Sequence, residues 1–115
     1  MPYTTFDWDA LLEKLGGDED FVLSLLGVAL RSNEALPAQL REASAGGDLA
    51  TLAKLAHKVK GTAGDLVAAP LQSRARDAEL AARGQEPTAI ALNLELADAL
   101  ERLLDEVRGV LAARG

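Results

Sequence analysis

The chain has 115 residues, of which 49% are hydrophobic and only 3% aromatic. One domain's worth of core must therefore be built from Leu, Ala and Val, a composition that favours helices over strands. A net charge of −6 disfavours non-specific nucleic-acid binding, which needs a basic patch, and the absence of cysteine excludes disulfides, thiolate metal sites and a cysteine nucleophile. The opening MPYTTFDWDALL lacks the basic and long apolar regions of a signal peptide. No stretch approaches about 18 consecutive apolar residues. The expectation is a soluble, cytoplasmic protein with no membrane segment and one domain over 1–115.

Asp7 is placed to cap a short helix over Trp8 to Leu15, stopped by Gly16-Gly17. Phe6, Trp8, Leu11, Leu12 and Leu15 would fold over one end of the domain; a lone Trp on such a helix reads as packing, not as a ligand site. Asp18 caps a long second helix, with Glu19 and Asp20 in its first turn where the helix dipole favours acids. Phe21, Leu25, Val28, Ser32, Leu36, Leu40 and Ala43 give its expected buried stripe, and Pro37 predicts a kink near Asn33–Leu36. Gly46-Gly47 ends that helix.

Asp48 caps a third helix that ends near Asp65–Val67. Pro70 suits the first turn of a fourth, with Leu71, Ala75, Ala78 and Ala82 inside and Gly84 at its end. Pro87 opens the last helix, about Thr88 to Ala113, whose expected seam is Ile90, Leu94, Ala97, Leu100, Leu104, Val107 and Leu111. The connections are short, so neighbours should run antiparallel. The predicted fold is all-α: an antiparallel up-down four-helix bundle with an additional short N-terminal helix.

The third helix organises the rest. Leu49, Leu52, Ala56, Val59, Ala63 and Leu66 form one stripe at alternating spacings of three and four. His57, the one histidine in the chain, falls on another stripe with Lys60, Gly61 and Gly64. The imidazole should therefore look outward, beside a cation and two residues without side chains.

Three chemistries suit such a histidine. A metal or haem site needs convergent ligands; no second His or any Cys is present, which leaves an all-carboxylate partner set that the spacing does not signal. A self-contained enzyme should carry a nucleophile elbow, phosphate loop or dinucleotide turn; none occurs, and a narrow bundle offers little concave pocket. A covalent phosphoryl acceptor needs an exposed imidazole, whose unperturbed pKa of about 6.5 leaves it nucleophilic near neutrality, and nearby positive charge. Lys60 supplies the charge. Glycine inside a helix costs about 0.5–1 kcal/mol relative to alanine, and close approach of a partner's backbone gives Gly61 and Gly64 a reason. Taken singly, each feature has a plain structural explanation: a surface His, a solvated Lys, a glycine at a helix contact or a fraying end.

The run His57-Lys58-Val59-Lys60-Gly61-Thr62-Ala63-Gly64, preceded by Leu55-Ala56 and followed by Leu71, resembles the signature of histidine-containing phosphotransfer (HPt) domains, roughly H-x-[hydrophobic]-K-G-[S/T/A]-[S/A]. The resemblance covers most of the chain and implies a four-helix bundle core. It implies that His57 is the phosphorylated residue, that Lys60 compensates phosphoryl charge, and that Gly61 keeps the approach open. Gly64, Lys58, Arg83 and Glu79 would then serve partner docking, Glu79 and Arg83 standing where many members carry an acidic or amide residue and a basic one on the neighbouring helix. The chain departs from the pattern at Val67, where the family often has a glycine just past the helix end, and at Ala78, where a larger aliphatic is common.

The function so implied is that of a phosphorelay intermediate, not an ATP-binding enzyme. Its partners would be response-regulator receiver domains and a sensor or hybrid histidine kinase. It would need no cofactor or metal of its own, Mg²⁺ being expected on the receiver. The expected state is a monomer, either free-standing or part of a larger kinase. A helical adaptor that docks the same partners without carrying phosphate is the alternative.

Overall fold

The computed structural model describes residues 4–114, and these fold as six helices: α1 (Trp8–Lys14), α2 (Glu19–Asn33), α3 (Leu36–Ala45), α4 (Leu49–Asp65), α5 (Ala69–Arg83) and α6 (Ala89–Arg114). Residues 1–3 and 115 of the span expected to form the domain lie outside the described residues. Three helices begin where their aspartates predict. The carboxylates of Asp7, Asp18 and Asp48 accept hydrogen bonds from the amides of Ala10, Phe21 and Thr51 at 2.9, 3.1 and 3.1 Å. Each satisfies a first-turn amide that has no partner inside its helix.

The helices α2 and α3 form one arm of the bundle, and α4, α5 and α6 form the other three. α4 lies along α5, and α5 lies along α6; α6 also meets α2, α3 and α4, while α3 packs on α4. The connections at 46–48, 66–68 and 84–88 leave room only for antiparallel neighbours. The body is 42 Å long and about 20 Å across, and the 26 residues of α6 span nearly its whole length. One core cluster joins the helices, with Leu26, Leu40, Leu52, Val59, Leu66, Leu96, Leu100 and Leu104 fully or almost fully enclosed. α1 closes one end through Phe6 and Leu11, and Trp8 is partly buried against the core, as a packing residue would be.

Two predicted stripes are corrected. The expected long second helix is not one kinked rod; it stops at Asn33 and restarts at Leu36. Pro37 stands in the first turn of α3, where its missing N–H costs nothing. A continuous helix would have set its ring against the Asn33 carbonyl. The break also frees the Ser32 carbonyl, which accepts from Lys58 Nζ at 3.1 Å. With the two halves out of phase, only the α3 part of the predicted stripe is buried: Leu36, Leu40 and Ala43. In α2 the inner residues are Val22, Leu26, Ala29 and Asn33, one position on from those expected, leaving Phe21 and Val28 55% and 51% exposed.

The second correction lies in α6. Ala97, Leu100, Leu104 and Val107 are buried as expected, but Ile90 and Leu94 face outward and Ala89, Asn93 and Leu96 take the inner positions. A straight helix drifts by about 20° per heptad from a strict seven-residue repeat, and the N-terminal half of α6 aligns to α5. There Asn93 Nδ2 donates to the carbonyls of Ala78 and Ala89 at 3.3 and 2.8 Å.

Helices α3, α4 and α5 end alike. The residue after each cap takes positive φ: Gly47 at +65°, Val67 at +54° and Gln85 at +52°. At α4, Ala68 N–H donates to the Ala63 carbonyl (2.8 Å) and Val67 N–H to that of Gly64 (3.3 Å); at α5, Glu86 and Gln85 donate likewise to Ala81 and Ala82. This paired closure calls for a left-handed residue, normally glycine. A side chain there costs about 1–2 kcal/mol. Val67 thus explains its own departure from the family pattern: the turn keeps the glycine-type conformation with a β-branched residue in it. Gln85 is exposed, so Gln85→Gly removes strain and loses only unfolded-state restriction. The expected gain is about 0.5–1 kcal/mol in urea denaturation, and a loss would contradict the argument. Val67→Gly should gain less, since the valine also packs against the core.

Candidate functional site

The chemistry gathers where α4 crosses α5. The α4 inner stripe, Leu52, Ala56, Val59 and Ala63, is buried, with Leu66 beyond the helix end and Leu49 partly covered. This fixes the rotation of the helix and turns His57 out, its side chain 62% exposed. On α5, Ala75, Ala78 and Ala82 are buried with Glu79 among them.

Glu79 joins the two helices. Its carboxylate is only 8% exposed and meets three donors. Lys60 Nζ lies 2.8 Å from Oε1. Arg83 approaches Oε2 through Nε at 2.9 Å and Nη2 at 2.7 Å. His57 Nδ1 is 3.1 Å from the same Oε2. Burial alone would raise the carboxyl pKa, but the hydrogen bonds from Lys60 and Arg83, with the nearby charges of Lys60 and His57, outweigh it and hold it at about 2.

That charge state determines the histidine. An ionised carboxylate only accepts hydrogen bonds, so the shared proton belongs to Nδ1 of His57. In the neutral ring Nε2 then carries the lone pair. Among the described residues the ring has no other hydrogen-bond partner. The arrangement is an exposed imidazole beside two cations and one anion, which together leave one unit of positive charge at the site.

The other residues singled out from the sequence divide. Gly61 is exposed, and a Cβ added there would meet nothing within 4 Å, so no contact inside this chain requires glycine. At Gly64 a Cβ would meet Nε2 of the exposed Gln72 at 2.8 Å, the far end of a flexible side chain that can move aside. Lys58 is exposed and also caps the end of α2. Arg83 is 56% exposed while bound to Glu79. Glu79, expected to serve partner docking, is buried where α4 meets α5 and there contacts His57, Lys60 and Arg83.

Two features escaped the sequence reading. The outward face of α2 carries Phe21 and Val28 with partly buried Leu25 between them, and Leu25 and Val28 line a hollow with Ser32, Thr62 and Asp65 beside the exposed Gly61. Thr62 Oγ1 also donates to Asn33 Oδ1 at 3.0 Å, tying α4 to the end of α2. The spacing of Glu79 four residues before Arg83 was a legible sign of the i,i+4 pair; nothing local indicated that it would be buried.

This histidine, on the exposed side of a bundle helix and hydrogen-bonded to a neighbouring helix, has the form of a histidine phosphotransfer module. A protein-family model described as Hpt domain matches residues 24–109, and the chain belongs to the histidine-containing phosphotransfer family. That family acts in phosphorelays as a carrier, with receiver domains and histidine kinases as partners. No curated protein and no solved structure matches the chain. Among the described residues no helix is long and apolar enough to cross a membrane.

The site carries a pH signature. Glu79 is held below its ordinary value of 4.5, at about 2, so its contribution to stability is complete above 4.5 and is lost as pH falls through 2. Urea denaturation from pH 6 to pH 2 should show the wild type losing stability over that window more steeply than Glu79→Gln. Parallel curves would remove the claim that the carboxylate is so held.

Proposed function

We propose that this chain accepts a phosphoryl group on Nε2 of His57, from the aspartyl phosphate of a receiver domain or from a histidine kinase, and passes it to an aspartate of another receiver. The observation that carries the reading is the bond from Nδ1 to ionised Glu79, which leaves Nε2 unprotonated on a side chain that is 62% exposed. Lys60, one turn from His57 and 33% exposed, offsets the phosphoryl charge; Arg83 can hold Glu79 by two contacts while Lys60 turns to the phosphate. Gly61 leaves room for the donor protein, Lys58 and Arg83 border the approach, and Val28 of α2 lines the hollow against Thr62. Position and charge are the contribution of this protein. It needs no cofactor, and the Mg²⁺ of such a transfer belongs to the receiver. It acts as a cytoplasmic monomer and not as an ATP-dependent enzyme.

With a cognate receiver and kinase, His57→Gln should abolish acid-labile labelling while changing stability by less than about 0.5 kcal/mol, since the ring is exposed. Label retained on that variant would sink the assignment, and absence of phosphohistidine in the wild type would favour a non-phosphorylated adaptor. Lys60→Ala should leave the fold intact and slow transfer roughly tenfold or more; unchanged kinetics would deny the lysine its role.

Gly61→Ala separates function from stability. It should stabilise α4 by about 0.5–1 kcal/mol, because the new methyl group meets nothing in the chain, and it should slow transfer from a receiver. Faster or equal transfer by the stabilised variant would show that the position is not part of the docking surface.

A further inference from the structure

We propose that Glu79 keeps the proton on Nδ1 of His57 through the whole phosphoryl cycle, so that phospho-His57 is held as a cation and the group enters and leaves without any proton transfer. This rests on the reading of His57 as the acceptor and concerns the charge state of the ring once loaded.

On entry, the Nε2 lone pair forms the N–P bond, and the P–O bond to the donor aspartate breaks with its electron pair leaving on the carboxylate oxygen. The ring retains Nδ1–H and becomes positive, opposite the Glu79 carboxylate at 3.1 Å. On exit, an oxygen of the accepting carboxylate forms the new P–O bond and the N–P pair returns to Nε2, restoring the neutral Nδ1–H ring. No proton is gained or lost in either direction. A ring that had lost the Nδ1 proton would have to depart as an imidazolide anion, a far poorer leaving group. Retention of that proton therefore sets how readily the loaded protein gives up its phosphate.

The geometry suits such a role. The carboxylate is buried, and Arg83 holds Oε2, the oxygen that faces Nδ1, through both Nε and Nη2, so that oxygen stays in place when Lys60 turns to the phosphate. The charged groups nearest the ring are Glu79 and Arg83 from α5 and Lys60 from α4 itself. α3 and α6, which also pack on α4, place no charged group in contact with the ring among the described residues. Lys60 and Arg83 oppose a positive ring, but both contact Glu79 and neither contacts the imidazole. The anion in direct contact dominates.

The test uses the full chain labelled with ¹⁵N-histidine and phosphorylated with phosphoramidate. Titration of phospho-His57 is followed by ¹⁵N and ³¹P NMR, and its hydrolysis is timed across neutral and alkaline pH in the wild type and Glu79→Gln. The wild-type Nδ1 should keep its proton to a pH roughly one unit or more above the variant, and at pH above the variant's titration the wild type should lose its phosphate roughly tenfold faster than the variant. Superimposed titrations and decay profiles would overturn the proposal. A merely structural role for Glu79 would move the denaturation curve and leave these profiles alone. Should Glu79→Gln fail to fold, wild-type phospho-His57 is compared with free phosphohistidine, and equal titration of the two overturns the proposal just as directly. Phosphohistidine that forms with an unshifted profile defeats this inference alone; if none forms, the acceptor reading fails and this one with it.

Discussion

A carboxylate enclosed among packed helices is costly unless donors surround it, and the site depends on how that cost is met at Glu79. Lys60 and Arg83 neutralise it from α4 and α5, and His57 completes the set. The same three contacts that make the burial tolerable also orient the imidazole, choose its tautomer and hold two cations beside it. Structural and chemical demands are met by one group.

The α4 helix carries this arrangement because it has two independent faces. Its apolar stripe is buried without remainder from Leu52 to Ala63, which removes any freedom of rotation and keeps His57 outward. Its two glycines have different surroundings. Gly61 faces open space, while Gly64 lies under the end of the Gln72 side chain. The break between α2 and α3 adds a third element to the same surface. Lys58 and Thr62 of α4 reach the end of α2, and the α2 phase shift leaves Phe21 and Val28 exposed, with Val28 in the hollow against Thr62 and Asp65.

Much of this was legible in the residue order. The three aspartate caps, the α4 stripe, the outward histidine and the helical ends at glycine and proline follow from local rules that act over one or two turns. The errors occurred where a helix phase was carried across a break or along a long rod. Pro37 interrupts the ladder and lets α2 and α3 choose separate rotations, so extrapolating from Leu40 back to Phe21 placed the wrong residues inside. Along α6 the accumulated drift and the fit to α5 moved Asn93 in and Leu94 out. Val67 was read as a departure from a pattern, and the positive φ at that residue shows what the pattern encodes.

The sequence by itself determined that the chain is helical, where most helices start and stop, and that His57 stands beside Lys60 and Gly61 on a face opposed to an apolar stripe. These depend on backbone propensity and periodicity, which are local. Only the tertiary structure decided that Glu79 is buried, that it meets Nδ1 and not Nε2, and which residues of α2 remain exposed. Those outcomes depend on how α5 and α2 lie against α4, and the 22 residues between His57 and Glu79 carry no local signal of that contact.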